Sequence, residues 1–312
     1  MGHAPRLTIC VCTHNRPDYL AVCLAGLQRQ SVPAEALEIL IVDSASEQEM
    51  TCQVQGLAAT LSNASVLRVD EPGLCLARNH AAAFADAEYI AYLDDDAVPE
   101  DDWAESVLRA ITEANRPALI GGRILPGWEK PLPRWWPERL RGVLSIIEAE
   151  GCGEYGSSDL PPGLEPCGAN LIVHVPSLRA LGGFWTKGRC GEMLLSDDEV
   201  QLASRMRRVG LSTRYDSRVV VHHRIQAGRM TPRWLLARLY WQGISAVLTR
   251  RLLGDPQSVW RELPRRLAVA CLLAPCWLVP SSSSALIPLR WRAAYAAGFI
   301  RAACGWRVAG LL

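Results

Sequence analysis

Three consecutive carboxylates, Asp94, Asp95 and Asp96, directly follow the apolar run at 89–93. Carboxylates this close raise one another's pKa unless a cation lies between them. Oxygen ligands of this kind suit Mg²⁺ and Mn²⁺, which often bind substrate phosphates as well. The pattern therefore predicts a strand that ends in a divalent-metal site. The alternative is a solvated acidic loop that caps a helix beginning near Pro99.

A second acidic run, Ser196-Asp197-Asp198-Glu199, precedes apolar residues that recur at helical spacing. Ser196 and Glu199 have the spacing of a capping box, which would give one carboxylate a structural role at a helix start. Three acids in a row exceed what a cap requires, and a helix N-terminus favours their charged forms. Asp197, Asp198 and Glu199 are therefore also candidates for a functional carboxylate.

Two adjacent histidines, His222 and His223, end an apolar run at 218–221 that predicts a strand. Successive residues of a strand point to opposite faces of the sheet. At most one of the two can therefore join a single metal site, and a structural role for both remains open.

Strands and helices in alternation must position these side chains. Apolar runs at 7–12, 38–42, 65–69 and 89–94 predict strands, and the segments between them predict helices, including one over 73–85. This alternation is typical of right-handed βαβ units in an α/β fold, with a mostly parallel sheet flanked by helices. Such sheets bind ligands at the carboxyl ends of their strands.

Polar residues stand at three of the predicted strand ends. Thr13 and Arg16 follow the first strand, Asp43 follows the second, and the acidic triplet follows the fourth. Together they predict a binding site, although Asp43 alone would also suit an Asx turn or a helix N-cap. Neither a Walker loop nor Gly-x-Gly-x-x-Gly follows the first strand, which argues against a P-loop ATPase and a dinucleotide dehydrogenase.

A loop rich in proline and tryptophan is predicted at 126–137, after a strand at 118–124. Long ordered loops often carry function. Trp128, Trp135 and Trp136 are therefore candidates for stacking on a bound ligand.

The charge is distributed unevenly along the 312 residues. Residues 229–312 carry twelve Arg, no Lys and two acids, hence a net charge of +10, which leaves −9 for residues 1–228 out of a total of +1. From Thr231 the chain is predicted to be helical, with Trp and Arg interspersed. This composition suits contact with an anionic membrane surface, and a helical extension packed on the preceding domain is the alternative. No motif for nucleic-acid binding accompanies the charge.

The eleven cysteines have no paired spacing, and residues 1–7 lack the basic and apolar segments of a secretion signal. We therefore expect reduced thiols and a cytoplasmic location, with peripheral association at the inner face of a membrane. No apolar run reaches the roughly 18–20 residues that a membrane span needs.

Five motifs in order resemble family 2 of the inverting glycosyltransferases. They are TICVCTHNRP at 8–17, IVDSAS at 41–46, GLCLARN at 73–79, YLDDD at 92–96 and DDEVQLASR at 197–205. The resemblance covers about residues 5–245. It implies a GT-A fold over 1–228, with a nucleotide half at about 5–115 and an acceptor half at about 116–228, followed by a helical C-terminal extension at 229–312.

The resemblance also implies the roles of individual residues. Members of this family bind a nucleotide-diphosphate sugar, and the matching positions here for the donor are Thr13, Arg16, Asp43, Arg78, Asp94 and Asp95. Asp96 would be the main ligand of Mn²⁺ or Mg²⁺, and His222 occupies the place of a histidine that helps to bind metal or diphosphate. The catalytic base would come from Asp197, Asp198 and Glu199. The motif alignment favours Glu199, whereas the capping-box spacing favours Asp198.

The chemistry of inverting glycosyl transfer requires two separate groups of carboxylates, as found here at 94–96 and at 197–199. In-line displacement at the anomeric carbon needs a cation at the departing diphosphate and a carboxylate that takes the acceptor hydroxyl's proton. We therefore expect transfer of a sugar, most simply from a UDP-sugar, to a hydroxyl of a lipid-linked or polysaccharide acceptor. A nucleotidyltransferase, a non-catalytic module that binds a sugar nucleotide or glycan, and a membrane scaffold are the alternatives.

Overall fold

The computed structural model describes residues 6–186, 195–277 and 286–305. The strands are β1 Leu7–Thr13, β2 Leu37–Ser44, β3 Ala64–Val69, β4 Tyr89–Asp94, β5 Ala97–Pro99, β6 Leu119–Trp128, β7 Cys152–Glu154, β8 Leu171–His174 and β9 Thr213–Ile225. The helices are α1 Pro17–Gln28, α2 Gln48–Ala58, α3 Leu74–Phe84, α4 Trp103–Glu113, α5 Val175–Ala180, α6 Asp198–Arg208, α7 Pro232–Leu252, α8 Pro256–Leu273 and α9 Ile287–Ala303.

One sheet has the strand order β3-β2-β1-β4-β8-β6-β9-β5, and β7 pairs with β9. The first four strands in this order run parallel, which confirms the predicted βαβ half, and antiparallel pairing begins where β8 joins β4. The register pairs Thr13 with Asp43 and Cys12 with Asp94. Three of the predicted functional segments therefore meet at one edge of the sheet.

Two local predictions were wrong. A helix does not begin near Pro99, because the chain first forms the short strand β5 and α4 starts at Trp103. The strand predicted at 218–221 is part of the longer β9, so His222 and His223 lie inside a strand and not at its end. In both cases the pairing of β5 with β9 adds strand residues that local sequence patterns do not reveal.

The core fills both faces of the sheet. Alternate residues of β1 divide between them, with Ile9 and Val11 on the side of α1 and α4 and Cys10 on the side of α3 and α6. Trp103 is fully buried, and its indole nitrogen donates to Asn170 Oδ1 at 3.0 Å. Asn170 in turn donates to the backbone carbonyl of Val219 in β9 at 2.8 Å. This bridge fixes the antiparallel strands beside β4.

The described residues form two compact units, one of 6–127, 145–186 and 198–224, and one of 128–144, 195–197, 225–277 and 286–305. The second unit holds α7, α8 and α9, so the predicted helical extension is present. Thr231 caps α7 by accepting from the Trp234 N–H at 3.3 Å. Within the described chain, no helix combines the length and apolar character needed to cross a bilayer.

Candidate active site

Asp94, Asp96 and His223 form a cluster beyond the carboxyl end of β4. Their potential ligand atoms all lie within 4.8 Å of one another. His223 Nε2 is 3.2 Å from Asp96 Oδ1, and both side chains are buried. Two carboxylates and an imidazole at this spacing could hold a divalent metal ion.

The structure brings His223, and not His222, to this cluster. Ala97 pairs with His223 across β5 and β9, and the next pair joins Val98 to His222. His222 therefore points away, where its Nε2 lies 2.6 Å from Glu100 Oε1 on the surface. The alternation of a strand thus separates the two histidines, and the register determines which one faces Asp96.

Asp95 binds the segment that follows β1. Thr13 Oγ1 donates to Asp95 Oδ2 at 2.8 Å, and Arg16 Nε donates to the same oxygen at 3.1 Å. Arg16 Nη2 also forms an ion pair with Asp95 and lies 3.1 Å from Asp96 Oδ2. Thr13, Arg16 and the acidic triplet therefore form one network, as their predicted strand-end positions imply.

Asp43 is fully buried and fixes the turn after β2. It accepts from the Ser46 N–H at 3.1 Å, from Thr51 Oγ1 at 2.6 Å and from Arg68 Nη1 at 2.7 Å. Burial by itself would raise the pKa of Asp43, but these hydrogen bonds and the Arg68 charge lower it below its ordinary value. The Asp43 carboxylate thus accepts from the N–H three residues on and not from the one two residues on that defines an Asx turn, and Glu47 stands at the N-cap of α2.

Arg78 connects the metal-ligand cluster to the second acidic run. Its Nη1 donates to Glu199 Oε1 at 2.7 Å, and its Nη2 lies 3.3 Å from Asp94 Oδ1. Burial by itself would lower the pKa of Arg78, but Glu199 and Asp94 raise it well above its ordinary value. The guanidinium also packs near the rings of Tyr92 and Phe184, with its carbon 5.8 Å and 5.5 Å from their centroids. The cation is thus held rigidly between two carboxylates.

Crowding of like charges affects Asp94. Burial and the neighbouring Asp96 raise the pKa of Asp94 above its ordinary value, although Arg78 opposes the shift. A cation that binds beside a carboxylate with a raised pKa stabilises its ionised form.

The capping box considered for Ser196 and Glu199 is not formed. Helix α6 begins at Asp198, and the Glu199 side chain points to Arg78. The Ser196 N–H donates instead to Ser245 Oγ at 3.0 Å. Asp197, the residue before the helix, has a positive φ of 73°, and Asp198 is buried at the first helical position. Glu199 therefore has no capping role.

Trp128, Trp135 and Trp136, the candidates for stacking on a ligand, lie in the second unit. Trp136 is buried, and its ring centroid is 5.5 Å from that of Trp135. Trp128 packs near Arg141, whose guanidinium carbon is 6.0 Å from the ring centroid. Trp136 is thus part of the packing of that unit, and the partly exposed Trp128 and Trp135 stay candidates for glycan contact.

Gly168 is a site residue that sequence reasoning missed. A Cβ at this position would overlap Arg78 Nη2 and Glu199 Oε1. An added methyl group would force the Arg78–Glu199 pair to shift, so glycine leaves the room that this pair occupies. The sequence shows only Gly-Ala-Asn before an apolar run, and the reason for the glycine lies in residues distant in sequence.

The fold is that of a GT-A glycosyltransferase. The mannosyltransferase PcManGT from Pyrobaculum calidifontis, solved in complex with GDP-Man and Mn²⁺, matches with a TM-score of 0.62 at 17% identity. The match covers 98% of this chain and 89% of that one. At this identity, the likeness shows the fold alone.

Residues 8–153 match the family model described as Glycosyl transferase family 2. The chain is 25% identical over 244 residues to the glucosyl-dolichyl phosphate glucuronosyltransferase of Haloferax volcanii, covering 77% of this chain and 76% of the relative. It is 24% identical over 240 residues to the succinoglycan biosynthesis protein ExoM of Rhizobium meliloti, with coverage of 76% and 72%. The chain carries a glycosyl transferase family 2 domain over residues 8–153 and is a glycosyltransferase.

Proposed function

We propose that this enzyme transfers a sugar from a nucleotide-diphosphate sugar to a hydroxyl of a lipid-linked or polysaccharide acceptor, with inversion at the anomeric carbon. The observation that carries the proposal is the continuous arrangement of Asp96, His223, Asp94, Arg78 and Glu199. It combines potential metal ligands and a carboxylate in one compact unit. The names of a dolichyl phosphate glucuronosyltransferase and a succinoglycan protein among the relatives support the acceptor classes.

Asp94, Asp96 and His223 are the proposed ligands of a divalent cation. Their donor set fits one, because Asp96 is buried, Asp94 is partly exposed and the pKa of Asp94 is raised, so added positive charge would stabilise the two carboxylates. Oxygen ligands suit Mg²⁺ and Mn²⁺ alike, whereas the imidazole lies outside the oxygen set that Mg²⁺ prefers, so we propose Mn²⁺. When bound, the ion would neutralise charge on the departing diphosphate.

The donor pocket is proposed at the ends of β1, β2 and β4. Thr13, Arg16 and Asp95 hold one another in place there, and Arg16 can offer positive charge to a phosphate. Asp43 belongs to this pocket through the turn that it fixes and through Arg68, which is 40% exposed. Direct contact of a base with the buried Asp43 carboxylate requires Arg68 to move aside.

The proposed nucleotide of the donor is UDP, as predicted from the sequence. The GDP-Man complex of the solved mannosyltransferase makes GDP the first alternative to compare.

Glu199 is the proposed base that takes the acceptor hydroxyl's proton. Its Oε1 accepts from Arg78, which holds the side chain beside the metal-ligand cluster, and its other oxygen would take the proton. Asp198 is the alternative at the adjacent position. Inversion follows if one carboxylate assists a single displacement.

The basic C-terminal part gives the proposed setting. A net charge of +10 over 229–312 would attract the enzyme to the anionic inner face of a membrane. An acceptor linked to a lipid would be presented there.

The donor site is tested by thermal unfolding with UDP, GDP, dTDP and CMP, each with and without Mn²⁺. A ligand at 100 times its Kd should stabilise the native state by about 2.7 kcal/mol. We expect one nucleotide to stabilise the enzyme only with Mn²⁺. His223→Ala should abolish that shift, and His222→Ala is the matched control that should keep it. Equal shifts in both histidine variants would remove His223 from the proposed site.

The base is tested with Glu199→Gln and Asp198→Asn. We expect Glu199→Gln to lower kcat by about 10²-fold or more while nucleotide binding is retained, because proton transfer contributes on this scale. Asp198→Asn should lower kcat by a smaller factor. The reverse order would assign the base to Asp198. Full transferase activity of the double variant would contradict the assignment of the base to this pair of carboxylates. A wild type that binds the nucleotide but transfers no sugar would favour a binding module. The anomeric configuration of the product, measured by proton NMR, tests inversion.

A further inference from the structure

Helix α8 exposes a continuous apolar stripe. Trp260 is 57% exposed, Leu267 43% and Leu272 77%. Pro264, Ala268 and Cys271 are exposed between them at helical spacing. We name these six residues the outer α8 face.

The opposite side of α8 faces the other helices of its unit and carries the charged residues Glu262 and Arg266. Val259 is buried there, and Glu262 forms ion pairs with Arg250 of α7 at 2.5 Å and with Arg266. Arg266 packs over the rings of Tyr295 and Phe299 in α9. This arrangement reverses the usual surface helix, in which the apolar side is buried and the polar side faces water.

Exposed cations border the outer α8 face. Arg261 and Arg265 lie on one side of the stripe, and Glu262, the acid within Pro256–Leu273, is held by Arg250 and Arg266. Tryptophan and leucine flanked by arginine are the composition of helices that lie in the plane of a membrane interface. Trp260 suits the headgroup region because its ring is apolar and its N–H is polar.

We propose that the outer α8 face docks onto an anionic lipid bilayer, with its apolar side chains among the headgroups and acyl-chain boundary and Arg261 and Arg265 against lipid phosphates. A second copy of the chain is a poorer occupant, because a two-fold contact through this face would bring its own arginines together. This proposal rests on the proposed setting at an anionic membrane and names the surface that binds there. The transfer reaction does not depend on it, so the docking proposal can fail while the proposed chemistry stands.

The test is co-sedimentation of the full chain with vesicles of pure phosphatidylcholine and of equimolar phosphatidylcholine and phosphatidylglycerol. We expect binding to the anionic vesicles that weakens at high salt. The triple variant Trp260→Ser, Leu267→Ser, Leu272→Ser should lose this binding. Arg261→Gln and Arg265→Gln should each weaken it by roughly fivefold, the factor expected for one cation near such a surface.

Val209→Ser is the matched control, because Val209 is 60% exposed but lies outside α8. It should bind vesicles like the wild type. Thermal unfolding of each variant separates loss of binding from loss of fold. The proposal is overturned if the folded triple variant still binds anionic vesicles as the wild type does. It is also overturned if the wild type does not bind anionic vesicles. A sedimentation coefficient that the triple substitution changes would then identify an interface between copies.

Discussion

Arg78 donates to Glu199 at 2.7 Å across a separation of 121 residues, and the same guanidinium lies 3.3 Å from Asp94. Helix α3 supplies the cation, β4 one carboxylate and α6 the other. The spacing between the proposed metal ligands and the proposed base is therefore set by one buried arginine.

We predict that Arg78→Lys lowers kcat/KM by about 10²-fold. A lysine ammonium cannot present two terminal nitrogens in the planar geometry that joins Asp94 to Glu199, and each charged hydrogen bond is worth about 1.5–3 kcal/mol. Steady-state kinetics and denaturant unfolding should be measured together. Arg179→Lys is the control, since Arg179 donates to the backbone carbonyl of Ala82 and should affect stability more than turnover.

Gly168→Ala should reduce activity strongly, because the added methyl group overlaps both members of the Arg78–Glu199 pair. We expect a loss of about 1–3 kcal/mol in unfolding free energy from overpacking. Gly56→Ala is the matched control: it lies in α2 with no atom within 4 Å of the new Cβ. That variant should keep full activity and gain up to about 1 kcal/mol from helix propensity. Normal turnover in Gly168→Ala would show that the Arg78–Glu199 pair does not require a glycine beside it.

Stability of the helical unit should depend on the ionisation of Glu262. Burial would raise the pKa of Glu262, but Arg250 and Arg266 lower it below the ordinary value of 4.5. A lowered pKa in the folded state stabilises the protein above about pH 4.5, and this contribution is lost as pH falls through the folded-state pKa. Glu262→Gln should therefore cost about 1–2 kcal/mol at pH 7 and progressively less in acid.

Urea unfolding of wild type and Glu262→Gln at several pH values measures this difference. Glu105→Gln is the control, because the Glu105–Arg109 pair is exposed and should contribute little. A destabilisation by Glu262→Gln that stays constant from pH 7 into acid would show that the loss is not electrostatic.

Helices α7 and α9 pack through reciprocal glycines, and Gly298→Ala should destabilise their contact. A Cβ on Gly298 would overlap the Tyr240 carbonyl, and one on Gly243 would overlap the Tyr295 carbonyl. Because backbone atoms cannot yield as a flexible side chain can, we expect a loss of about 1–3 kcal/mol. Thermal unfolding measures it, with Gly142→Ala of the same unit as a control whose new Cβ meets nothing within 4 Å. Equal stability of the two variants would argue against close glycine packing.

Much of the first half of the fold could be predicted because its signals are local. The strands predicted at 7–12, 38–42, 65–69 and 89–94 agree with the structure to within two residues, since buried parallel strands are short apolar runs bounded by polar ends. Short strands such as β5 were missed, because three residues carry no periodicity and their pairing partner lies more than 120 residues away.

The site could be predicted only in part. The acidic triplet, Thr13 and Arg16 share one network because parallel strands bring their carboxyl ends to one edge. The partner of Glu199 was not predictable, since the capping-box spacing of Ser196 and Glu199 is a local pattern that the distant Arg78 overrides.

The sequence by itself determined the α/β class, the strand-end carboxylates and the basic C-terminal charge, because these follow from residue type and near-neighbour spacing. The tertiary structure alone decided that His223 faces Asp96, that Glu199 meets Arg78 and that the apolar side of α8 points outward. Each of these depends on register or packing between segments far apart in the chain. Such contacts form only when the whole core is assembled, and no local pattern encodes them.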